Sequence, residues 1–102
     1  MGKVINITNK LNNEPTFIVL GENKQYKVDD NYKTLIKVSE LFEKEGTSDT
    51  TAMMDAIELI LGKAARKEIE NMSIGDVKVI FTAVMAAVQG IDYEDAEARF
   101  QG

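Results

Sequence analysis

The amino-acid sequence predicts an α+β domain dominated by helix: a small N-terminal β-hairpin or three-stranded meander, then a bundle of about four helices. Three observations carry this prediction. β-Branched and aromatic residues cluster in short runs near the N-terminus, separated by turn-forming residues. From Tyr32 onward, apolar residues recur at three- and four-residue spacing, the period of an α-helix. The stretch Ser73–Gly90, SIGDVKVIFTAVMAAVQG, places helix-start and helix-stop signals around an almost wholly apolar middle. No internal repeat, low-complexity segment or long linker divides the 102 residues. One domain is therefore expected, with residues 1–29 as its β segment and 30–102 as its helical segment.

In chain order, Val4–Thr8 (VINIT) reads as a short strand or an extended arm. Lys10–Pro15 is a turn segment, because Asn12-Asn13 favours tight turns and Pro15 cannot lie in a central strand. Thr16–Leu20 (TFIVL) is a strand and Gly21–Lys24 a turn. Gln25–Val28 (QYKV) returns as the partner strand, with Tyr26 and Val28 on one face. A hairpin this small is marginal in water and must pack on helices.

Asp29 or Asp30 is expected to cap the first helix, whose stripe is Tyr32, Leu35, Ile36, Leu41 and Phe42 and which ends at Gly46. Thr50 or Thr51 opens a second, with Met53, Ile57, Ile60 and Leu61 on one face and Met54 beside them. Gly62 is a C-cap, a kink or a tolerated glycine in a helix running to Met72. KAARKEIENM favours helix and is mostly solvent-facing, with Ala65, Ile69 and Met72 as its sparse apolar positions. Next comes the central helix, capped by Ser73, with Asp76 in its first turn and Gly90 at its end. From Val77 to Val88 only Lys78 and Thr82 are polar, on one narrow strip, so this helix must be covered on most sides. At about 25 Å it is too short for a membrane span. A last short helix, YEDAEARF, carries Tyr93, Ala96 and Phe100 as its stripe.

Composition excludes much chemistry. The chain has no Cys and no His, which removes disulfides, thiolate nucleophiles, the commonest metal ligands and the usual catalytic triads. A net charge of −5 argues against nucleic-acid binding. Leu61-Gly62-Lys63 fails as a phosphate loop, because no earlier glycine has the required spacing and Ala64 stands where Ser or Thr would hold magnesium. The acidic cluster Asp92, Glu94, Asp95 and Glu97 lacks the ligand pattern of a calcium loop and reads as first-turn helix charge. No secretory segment is visible in MGKVINITNK, so the sequons at Asn6 and Asn71 read as chance and a cytoplasmic setting is expected. No catalytic residue, cofactor site or metal site is expected.

The second half also resembles a known family. LGKAARKEIENM (Leu61–Met72), IFTAVMAAVQG (Ile80–Gly90) and EDAEARFQ (Glu94–Gln101) are similar to the small tail assembly chaperones of siphophages and prophages of Gram-positive bacteria. The resemblance implies a non-enzymatic protein in the cytoplasm of the bacterial host. It would bind the phage tape-measure protein, keep it soluble, and help recruit tail-tube protein subunits. Homo-oligomers are compatible with it, and neither nucleic acid nor membrane is implied. On this reading Phe81, Val84, Met85 and Val88 serve the core or self-association, and Met54, Ile69 and Met72 form the client surface. The alternative is a structural virion component, such as a tail-tube or head–tail completion protein, which would need a larger sheet.

Overall fold

Three short side chains set the helix starts. Asn31 Oδ1 accepts a hydrogen bond from Lys33 N at 2.9 Å, Ser48 Oγ from Thr51 N at 3.1 Å, and Ser73 Oγ from Asp76 N at 3.2 Å. Each cap satisfies an otherwise orphaned donor and is worth about 1 kcal/mol. The helices they open are α1 (Tyr32–Glu43), α2 (Asp49–Leu61) and α4 (Ile74–Gln89). α3 (Lys63–Ile69) follows α2 directly, and α5 (Tyr93–Gln101) follows α4. The computed structural model describes residues 2–11, 14–21, 24–44, 46 and 48–101, and side chains as far as residue 98.

Strands β1 (Phe17–Val19) and β2 (Gln25–Lys27) form an antiparallel hairpin, pairing Phe17 with Lys27, Ile18 with Tyr26 and Val19 with Gln25. Its inner face, Ile18 and Tyr26, packs on the helical core, while Phe17 and Val19 face outward. Two contacts moor it to the helices. Asp29 N donates to Ile60 O at 2.9 Å, and Lys24 Nζ lies 2.7 Å from Glu68 Oε1. The fold is thus the expected helix-dominated α+β arrangement, and among the described residues its β element is the hairpin and not the meander. Val4–Thr8 forms no strand: residues 2–7 are irregular, and Thr8–Lys10 make a single 3-10 turn. The Asn12-Asn13 turn lies outside the described residues.

The core runs along α2, which packs against α1, α3 and α4. Ile57, Ile60, Ile69, Val38 and Val84 are its largest fully buried side chains. Each contributes about 1.5–3 kcal/mol of transfer free energy. Val77, Ile80 and Met85 of α4 join it, so the central helix is covered by α2 on one side and by α5 on another. Gly90 ends α4 in the left-handed conformation, at φ 71° and ψ 29°.

Several boundaries differ from expectation. Asn31, not Asp29 or Asp30, caps α1; Asp29 supports the cap by accepting from Asn31 N at 3.1 Å and Thr34 Oγ1 at 2.9 Å. Ser48, not Thr50 or Thr51, caps α2, and α1 ends at Glu43, before Gly46. Gly62 breaks the helix at φ 100° and ψ 171°, giving α2 and α3 as separate elements. The expected stripe of α1 is only partly covered. Val38 is buried, but Tyr32, Ile36 and Phe42 are exposed, because α1 packs chiefly against α2 at the edge of the bundle.

Candidate functional groove

α1 packs against α2, α2 against α4, and α4 against α5. The C-terminal half of α1, the N-terminal turn of α2, α4 and α5 border one space. Four helices that meet at one end without closing leave an open groove with a volume of about 1140 Å³. Its apolar lining comes from Leu35, Phe42, Met53, Val79, Phe81 and Met85, with Tyr93 at one side. Val79 is 52% exposed and Phe42 43% exposed, far more than the core side chains behind them. The rings of Phe42 and Phe81 sit 5.6 Å apart, tilted by 50°, and join α1 to α4.

The groove is acidic as well as apolar. Three carboxylates, Glu43, Asp49 and Glu97, line it against the single ammonium of Lys78. Among the described residues no charged or polar side chain is buried, and no cluster of three or more carboxylates is placed to hold a metal ion. An extended charge network lies elsewhere. Arg66 reaches Asp55 at 2.7 Å, Glu58 at 3.4 Å and Glu70 at 3.5 Å, bracing α3 against α2. The hydrogen bond to Asp55 holds the guanidinium even more firmly protonated than usual. Only the Glu70 contact follows from i,i+4 spacing; the contacts with α2 need the turn at Gly62.

The residues singled out from sequence fall in three places. Phe81 and Met85 line the groove. Val84 is fully buried in the core, and Val88 is half-buried against it. Met54 and Met72 are also half-buried against the core, and neither lines the groove. Ile69 requires a correction. It is fully buried, because α3 turns back at Gly62 and presses this side chain into the core, so it forms no part of an accessible surface. Phe42 and Val79 were missed as surface residues because both sit in apolar stripes that read as core. One signal did mark the groove. Lys78 and Thr82, the only polar positions in the middle of α4, both line it. A polar strip on an otherwise apolar helix marks its uncovered side.

The fold and groove define a small helix-dominated domain with one open apolar face and an acidic rim. Comparisons with protein-family models, with curated proteins and with solved structures give no match. Among the described residues no helix is long and apolar enough to cross a membrane.

Proposed function

We propose that this protein is a non-enzymatic tail assembly chaperone that holds an amphipathic segment of a phage tape-measure protein in the groove between α1, α2, α4 and α5. The observation that carries the reading is the groove itself: an apolar floor, left open beside a packed core. The resemblance of Leu61–Met72, Ile80–Gly90 and Glu94–Gln101 to such chaperones points the same way.

A groove of about 1140 Å³ with an apolar lining offers a seat for one face of an amphipathic client segment. Such a client aggregates when its stripe is bare, and helix-in-groove packing covers it. Many copies on one long client would gain further from multivalency. Work of this kind takes place in the host cytoplasm and brings the tail-tube protein to the coated client.

The test is co-expression with a fragment of the tape-measure protein from the same phage, followed by pull-down and a solubility assay. The fragment should become soluble and co-purify, and Val79→Asp should abolish both effects while leaving the circular dichroism spectrum unchanged. An insoluble, unbound fragment, together with this protein in purified virions, would replace the chaperone reading with that of a structural virion component.

A further inference from the structure

We infer that the groove also receives the N-terminal arm of a second copy of this chain. The arm is the most exposed apolar segment described. Val4 is 97% exposed, Ile5 78%, Ile7 54% and Leu11 58%, and residues 2–7 form neither helix nor strand. Its backbone makes local hydrogen bonds: Lys10 N to Ile7 O, Leu11 N to Thr8 O, and Thr8 N to Asn6 Oδ1. Four large apolar side chains on one short segment are a standing cost in water and a ready-made binding element.

Charge selects the receiving surface. The arm carries Lys3 and Lys10 and no acidic residue from Gly2 to Leu11, within a chain whose net charge is −5. The groove sets Glu43, Asp49 and Glu97 against one lysine. A basic apolar arm and an acidic apolar groove are complementary in both respects.

Position favours a second copy over the arm's own groove. The chain after the arm enters the hairpin, which is moored beside Ile60 at the C-terminal end of α2. The groove lies at the opposite end of the same helix, around Asp49 and Met53. Within one chain the arm's side chains stand in solvent instead of in the groove. The molecule is correspondingly drawn out, 59 × 37 × 28 Å with a radius of gyration of 15.7 Å, against about 13 Å for a compact domain of this length. Reciprocal exchange of arms closes a two-fold dimer; one-way donation builds an open array.

The inference shares the groove with the proposed client but does not depend on the client's identity, since it stands or falls on self-association alone. Analytical ultracentrifugation of the full chain over a range of concentrations should show reversible association. The double substitution Val4→Asp, Ile5→Asp in the arm and the single substitution Val79→Asp in the groove should each weaken association about tenfold or more. All three positions are exposed, so the thermal unfolding midpoint should stay close to that of the parent.

Mixing the two variants is the decisive step. The arm variant keeps an intact groove and the groove variant keeps an intact arm, so together they should associate one-to-one more tightly than either variant associates with itself. A parent chain that stays monomeric overturns the inference, including the case in which the arm is protected within its own chain. Arm or groove variants that associate like the parent overturn it too, and so does a mixture that stays monomeric. Association lost only on substituting Phe17 or Val19 would instead assign the contact to the outer face of the hairpin.

Discussion

Gly62→Ala isolates the break between α2 and α3. At φ 100° and ψ 171° the residue occupies a region of backbone space that is essentially reserved for glycine. A Cβ added there would meet nothing within 4 Å, so steric clash contributes nothing and the whole cost is backbone strain. Strain of this kind costs about 1–3 kcal/mol. Alanine recovers about 0.4–1 kcal/mol by restricting the unfolded chain, leaving a net loss of roughly 1–2 kcal/mol. For a domain of this length that lowers the thermal midpoint by about 5–15 °C. Urea unfolding followed by far-UV circular dichroism should show a lower midpoint with an unchanged slope. Gly75→Ala supplies the contrast. Gly75 lies in the first turn of α4 without a positive φ, and its added Cβ would meet only Ser73 Oγ at 3.8 Å. There alanine should stabilise by about 0.5–1 kcal/mol. If Gly62→Ala is neutral or stabilising like Gly75→Ala, the chain does not need the break, α2 and α3 form one helix, and the placement of Ile69 and Arg66 argued above is wrong.

Ile69→Ala should cost about 2–5 kcal/mol in chemical unfolding, because the side chain is fully buried and its removal leaves a cavity between α3 and the core. A loss below about 1 kcal/mol would return Ile69 to the surface. Lys24 supplies a pH dependence. The hydrogen bond to Glu68, followed by the charge on Glu68, raises the ammonium above its ordinary 10.5. The stabilisation from a group raised in the folded state is complete below its unfolded pKa and is lost as pH rises through the folded value. The urea midpoints of the parent and of Lys24→Met should therefore differ at neutral pH and converge in strong alkali; a gap independent of pH would show that Lys24 does not act through its charge.

Local signals explain which parts of the fold were legible. Ser73 and Gly90 bound the central helix where expected, because caps and left-handed termini depend on a few adjacent residues. The inner face of the returning strand followed from alternation, with Tyr26 half-buried and Val28 buried after it. Tyr32 and Ile36 misled because helical periodicity reports which residues share a face, not whether another element covers that face. VINIT left a strand and an arm both open, since strand-forming residues make a strand only when a neighbour supplies hydrogen bonds; among the described residues no strand pairs with residues 2–7, and the segment is an arm.

The sequence by itself determined the helix-dominated class, the single core along the apolar stripes, and the exclusion of cysteine and histidine chemistry. These depend on composition and on contacts between near neighbours in the chain. The tertiary structure alone decided that Gly62 turns α3 back, that Ile69 is core, and that α1, α2, α4 and α5 meet without closing. Each of these depends on the angle between elements far apart in sequence, where small differences in packing decide whether an apolar side chain is buried or left facing a groove.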